Sequence, residues 1–147
     1  MAGQSQRDDC RFCAIVDGDL SAHLVLENET CVGFLDSRPL FPGHCLLVPR
    51  PHFETLTDLP DRLIEPFFGD ARLLARAVEE AMGAEGTFVA LNNRVSQSVP
   101  HLHVHVVPRR KGDGLRGFFW PRTKYTDEEE IKQVQQALRA AVAKLQE

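Results

Sequence analysis

The chain has 147 residues, 43% of them hydrophobic and 26% charged, with a formal net charge of −4. This length suits a single domain with a sizeable core, and the composition excludes disorder throughout. The acidic balance excludes a general nucleic-acid-binding face, and the basic run Arg109-Arg110-Lys111 is short enough to be a solvated turn.

In chain order, residues 1–9 are polar, carry no apolar signal core and read as a disordered lead-in. No apolar run reaches the length of a membrane span. The expectation is a cytoplasmic protein without a membrane partner. Cys10 and Cys13 then form a C-x-x-C pair. Alone, such a pair is ambiguous between a redox couple, half a zinc site and two free thiols. The redox reading wants a strand before the pair in a βαβ unit, and the pattern offers none. Cys31 and Cys45 sit in apolar runs and are expected to be small buried hydrophobes.

Three apolar, β-rich runs follow: Ala22–Glu27, Cys31–Asp36 and Cys45–Pro49. Asn28-Glu29, Arg38-Pro39 and Pro42-Gly43 supply turns between them. Such short links favour antiparallel pairing. From Arg62 to Met82 the period becomes helical, with Leu63, Phe67, Leu74, Val78 and Ala81 on one stripe. Pro66 should kink this helix or mark its true start, and Gly83 is a natural stop. Thr87–Leu91 and Leu102–Val107 read as the fourth and fifth strands. Thr126 with Glu129 reads as a capping box for a last helix. Its apolar face is Ile131, Val134, Leu138, Ala141 or Val142, and Leu145. The fold class is therefore α+β: five mainly antiparallel strands, one long helix and a C-terminal helix. The long helix carries Phe67, Phe68, Leu73, Leu74 and Ala77. That is more apolar surface than one core-facing stripe needs, and it suggests a homodimer.

Three of the six histidines fall in Pro100-His101-Leu102-His103-Val104-His105-Val106. On a strand the histidines would share one face and Leu102, Val104 and Val106 the other. Neighbouring imidazoles cannot all be charged comfortably, so most should be neutral at pH 7. A shared three-histidine metal site fits poorly, because residues two apart on a strand lie about 6–7 Å apart. A row of separate roles fits better.

This run, with Gln97-Ser98-Val99 before it, resembles the motif of the histidine triad (HIT) family. Phe34-Leu35-Asp36 leading to Pro42-Gly43-His44, and Cys10-Arg11-Phe12-Cys13, resemble further segments of bacterial members. The resemblance covers about residues 10–110 as one domain, with a C-terminal extension from about 111. It implies a hydrolase or transferase acting at the α-phosphate of a purine nucleotide through a covalent nucleotidyl-histidine. His103 would be the nucleophile. Ser98, His105 and His44 would contact the phosphate or the leaving group. Phe34 would line the base pocket and Asp36 would bind the ribose hydroxyls. Asn92, or Asn93 in another register, and the backbone around Gln97 and Val99 would serve the phosphate side.

The resemblance also implies a structural zinc held by Cys10, Cys13, His52 and His101, as in some bacterial triad proteins and the related galactose-1-phosphate uridylyltransferases. It leaves open a Hint-like phosphoramidase, a Fhit-like dinucleoside polyphosphate hydrolase, or a nucleotide-binding protein with vestigial activity. Two features depart from the family pattern. The loop Asn93-Arg94-Val95-Ser96 is short and lacks glycine, and Gly114–Pro121 matches no motif. Within that segment Phe119 or Trp120 could reach a base.

Overall fold

In a computed structural model of the chain, residues 7–115 and 122–147 are described. Phe118, Phe119 and Trp120 lie outside the described residues. The chain divides into two units, Met1–Asp113 and Gly114–Glu147, which are taken in turn.

The first unit is built on a five-stranded sheet with every neighbouring pair antiparallel. Its strands are β1 (Leu24–Glu27), β2 (Cys31–Leu35), β3 (Cys45–Pro49), β4 (Gly86–Ala90) and β5 (Val104–Arg109), in the order β1-β2-β3-β5-β4. The third strand lies where its apolar run predicts. The others shift by up to two residues, and the shift of β5 has consequences. It begins at Val104, so His101 and His103 precede the strand and only His105 lies on it. The expected single row of three histidines on a strand face is therefore corrected. Leu102, Val104 and Val106 do enter the core, as their apolar character demands.

Alternation along the strands sorts side chains onto two faces. Cys31 on β2, Cys45 and Leu47 on β3 and Val104 and Val106 on β5 pack against helix α2 (Asp61–Met82). Val32 and Phe34 on β2 and Leu46 and Val48 on β3 pack against the short helix α1 (Arg11–Val16). Cys31 and Cys45 are thus the buried hydrophobes their context suggests.

Helix α2 buries Leu63, Phe67, Ala71, Leu74 and Val78, a clean three- and four-residue rhythm. Ala81, expected on the stripe, is exposed, and Ala71 takes a place in it. The helix starts at Asp61, five residues ahead of Pro66, so Pro66 lies inside it rather than at its start. It ends at Gly83, whose left-handed φ of 58° lets its N–H reach the carbonyls of Glu79 and Glu80.

α1 lacks the length to announce itself in a sequence. Cys10 caps it, its Sγ accepting from the Cys13 amide at 3.3 Å. Within the stretch expected as a lead-in, Arg7 bonds both carboxylate oxygens of Asp17 at 3.1 and 3.2 Å.

The second unit carries α3 (Glu128–Leu145). Its cap lies one residue beyond the predicted Thr126. Asp127 Oδ1 accepts from the Glu130 amide at 2.8 Å, and Glu130 Oε2 accepts from the Thr126 amide at 2.7 Å. Asp is as good an N-cap acceptor as Thr, so the shift costs little. No helix among the described residues is long and apolar enough to cross a membrane.

Candidate active site and metal centre

The sheet face that carries α1 opens into a cleft of about 880 Å³. Phe34 and Asp36 at the end of β2, Leu46 on β3, Ser98 and Val99 in the loop, and His103 and His105 all line it. Just past the end of the β2–β3 ladder, the Asp36 N–H still donates to the His44 carbonyl at 2.9 Å. The turn into His44 needs Gly43. Its φ is +99°, and a Cβ there would approach the Met82 side chain to 2.7 Å.

Hydrogen bonds to backbone groups settle which ring nitrogen carries each proton. His103 Nδ1 lies 2.8 Å from the His101 carbonyl, which only accepts. The His103 proton therefore sits on Nδ1 and the Nε2 lone pair is free. The Leu40 amide donates to His44 Nδ1 at 3.0 Å, so the His44 proton sits on Nε2. That Nε2–H faces His105 Nδ1 at 3.0 Å, with Asp36 Oδ2 behind it at 3.6 Å. His105 is left with its own proton on Nε2. Asp36, His44 and His105 lie close enough together to suggest a cation site. Metal binding at His44 Nε2 would force a proton onto Nδ1, against the Leu40 N–H. The three groups are better read as a hydrogen-bonded relay.

Burial keeps these imidazoles neutral. It lowers His103 despite the His101 carbonyl and Asp36, and lowers His44 despite Asp36. It pushes His105 down to about 4, with His103 and His44 adding to the effect. The rings sit closer than a regular strand row would place them. The centroids of His103 and His105 are 5.1 Å apart, and those of His44 and His105 are 5.2 Å apart.

His101 turns away from the cleft. Its Nε2–H donates to the Pro49 carbonyl at 2.9 Å, leaving the Nδ1 lone pair 3.4 Å from Cys10 Sγ and 3.5 Å from Cys13 Sγ. His52 Nδ1 lies 3.2 Å from Cys13 Sγ. All four ligand atoms fall within 4.8 Å of one another. A tetrahedral zinc with two sulfur and two nitrogen ligands has S···N edges of about 3.5 Å, and this donor set matches it. The Pro49 hydrogen bond supplies the outer support that a metal-bound imidazole ordinarily has. Burial and the neighbouring Cys10 push the Cys13 thiol up to about 12. A divalent cation would reverse that preference and hold thiolates.

Gln97, Asn92 and its alternative Asn93 stay out of the cleft lining. Gln97 is occupied at both ends, donating to the Glu54 carbonyl at 2.7 Å and accepting from the Arg94 amide at 2.8 Å. Asn92 donates to the Ser96 carbonyl at 3.2 Å, and Asn93 accepts from the Leu56 amide at 2.9 Å. All three brace the loop before Ser98. That loop holds Arg94 and Ser96 at φ of 69° and 62°, where glycine would be at ease. His44 also stands behind His105 rather than in the lining.

Sequence reasoning assigned no cleft role to Arg11, Phe12, Ile15, His23 or Arg38, which also line it. The first three come from α1. The only signal for them was their place between and after the two cysteines. Phe12 meets the Phe34 ring at 5.4 Å and the His103 ring at 5.0 Å, both edge-on.

A five-stranded antiparallel sheet with a histidine cluster at the end of its central strands defines a class of protein. The HIT domain family model matches residues 17–112, and the chain belongs to this histidine triad family. It is 32% identical to the adenosine 5′-monophosphoramidase HNT1 of Saccharomyces cerevisiae, over 76% of this chain and 70% of that one. It is 31% identical to the adenylylsulfatase HINT3 of Arabidopsis thaliana, over 74% of this chain but only 56% of that longer relative. Among solved structures, a zinc-bound histidine triad family protein from Mycobacterium smegmatis is 38% identical. It superposes with a TM-score of 0.70 over 95% of this chain and 97% of that one.

Proposed function

We propose that the chain is a nucleotide hydrolase of the Hint-like kind, acting on nucleoside phosphoramidates or related nucleotide esters through a nucleotidyl-histidine. The observation that carries the reading is the complementary protonation of two neighbouring rings. His103 offers a bare Nε2, and His105 offers an Nε2–H.

In this mechanism His103 Nε2 attacks the α-phosphorus, and the bond from phosphorus to the leaving group breaks. His105 Nε2–H donates a hydrogen bond to the departing atom and keeps its proton, the leaving group taking one from the medium, while the His101 carbonyl steadies the charge gained on the His103 ring. Water then attacks the phosphorus, the bond from phosphorus to His103 breaks, and the water's proton passes to the medium. His44 acts as a positioning residue, holding His105 through Nε2–H and itself held by Leu40 and Asp36. Asp36 has room for ribose hydroxyls, with one oxygen already accepting from the Arg38 amide at 2.8 Å. Phe34 and Val99 offer apolar surface to a purine, and the exposed Ser98 hydroxyl offers a donor to phosphate. Zinc at Cys10, Cys13, His52 and His101 is a structural cofactor in this reading. Four protein ligands would leave such an ion no open position, so it would hold structure and supply no chemistry to the reaction. The working form is a homodimer. Relatives named as a phosphoramidase and an adenylylsulfatase support the substrate class.

His103→Ala should abolish turnover of adenosine phosphoramidate while leaving AMP binding within a few-fold of the parent. Turnover near the parent's rate, or a trapped phosphohistidine mapped elsewhere, contradicts the assignment. Arg11 and Arg38 in the cleft lining favour one second reading, a dinucleoside polyphosphate hydrolase, because both could meet further anionic groups. Parallel assays with adenosine phosphoramidate and diadenosine polyphosphates separate the two.

A further inference from the structure

The metal cluster and the nucleotide cleft share a wall. Along α1, Cys10 at the cap and Cys13 turn to the cluster, while Arg11, Phe12 and Ile15 line the cleft. The helix is six residues long and has no intrinsic stability at that length. Its docking therefore depends on what it packs against, Val32, Phe34, Leu46 and Val48 on β2 and β3 and the cluster itself.

A second link runs through His101. Its ring faces both thiols, and its own backbone carbonyl accepts the His103 Nδ1–H at 2.8 Å. One residue thus touches the cluster with its side chain and sets the nucleophile's tautomer with its main chain. Phe12 closes the circuit. Its ring lies edge-on to His103 at 5.0 Å and to His101 at 6.1 Å.

We infer that metal occupancy of the Cys10–Cys13–His52–His101 cluster and nucleotide binding in the cleft are thermodynamically linked, through α1 and through the His101 carbonyl. The inference rests on the nucleotide reading of the cleft. The metal fixes α1 as the cleft wall and fixes the His101 backbone. A nucleotide held against Phe12 and Ile15 fixes the same helix from its other side. Two ligands that order one marginal element must each strengthen the other, by the same factor in both directions. His101 is then a positioning residue for His103 as well as a ligand.

The test uses the full chain, loaded with zinc to one equivalent and, separately, stripped by chelator. AMP affinity is measured by calorimetry on both forms, and zinc affinity by chelator competition with and without saturating AMP. AMP should bind about 10-fold or more tightly to the zinc form, and AMP should tighten zinc by the same factor. Nitrogen NMR should show His103 as the Nδ1–H tautomer in the zinc form and as mixed tautomers in the stripped form. If the stripped chain unfolds, His52→Asn takes its place, removing a half-buried ligand while keeping Cys10, Cys13 and His101. In that variant AMP should weaken and the His103 signals should broaden in parallel. Equal AMP affinity with and without zinc in a folded chain overturns the linkage and leaves the hydrolase reading standing. Absence of AMP binding in both forms overturns the hydrolase reading and the linkage with it.

Discussion

A neutral imidazole at neutral pH is what both histidines of the proposed reaction require, and burial among neighbouring rings supplies it. His105 sits at about 4 against an ordinary 6.5. The unfolded chain takes up this proton below about pH 6.5, whereas the folded chain resists until the pH nears 4. Its contribution to stability is therefore complete above pH 6.5 and is lost as the pH falls from 6.5 to 4. His44, lowered by burial against Asp36, adds to the same slope. Urea midpoints should fall steadily between pH 6.5 and 4.5, and His105→Asn should make the fall shallower. A flat profile in the parent protein contradicts this. The neutrality itself was legible in the run of three histidines. The proton positions were not, because they depend on the Leu40 amide and the His101 carbonyl, which only the folded backbone brings to those rings.

At the scale of elements, the long helix and the sheet follow from local pattern. Apolar residues at three- and four-residue spacing can form only one buried stripe, and Gly83 can end it cheaply. Phe67 lies at the centre of that stripe and is only 1% exposed. Phe67→Ala should destabilise the protein by about 3–5 kcal/mol, read from urea denaturation at pH 7. A loss below about 1 kcal/mol would mean that the helix does not rest on the sheet as described. The short helix α1 was not legible. Six residues give too few turns for a period to show, and its cap is a cysteine rather than Ser, Thr, Asp or Asn. The start of β5 was misjudged for a related reason. His101-Leu102-His103 alternates like a strand, but the Leu102 N–H bonds the Phe53 carbonyl, outside the sheet ladder. Gln97 matched a motif by its type, yet its contacts make it a brace.

For the whole molecule, β1 and β4 are the outer strands of the sheet. β1 carries an irregularity between Leu24 and Leu26, which blunts it as a template for pairing. β4 has a regular register over its whole length and an exposed Val89. On α2, Phe67 and Leu74 are spent on the core, while Phe68, Leu73 and Ala77 remain outside. A two-fold pairing would bury that outer face twice over. The proposed homodimer should run in size-exclusion chromatography with light scattering at about 33 kDa, twice the 16.5 kDa chain. Leu73→Glu should shift it towards the single-chain mass. A parent protein that is strictly monomeric at micromolar concentration removes the dimer.

The four ligands of the cluster are far apart along the chain. Cys13 and His52 are separated by 39 residues, and Cys10 and His101 by 91. During synthesis the two thiols are made well before the histidines of the cluster, and His101 follows Cys13 by 88 residues. Until then the two thiols have only His52 to complete a shared site with, and α1 lacks the full cluster beside it. The cluster that α1 flanks is thus completed late, by a residue far along the chain. The segment that carries His101 and the proposed nucleophile His103 must be made before the cluster beside α1 is complete.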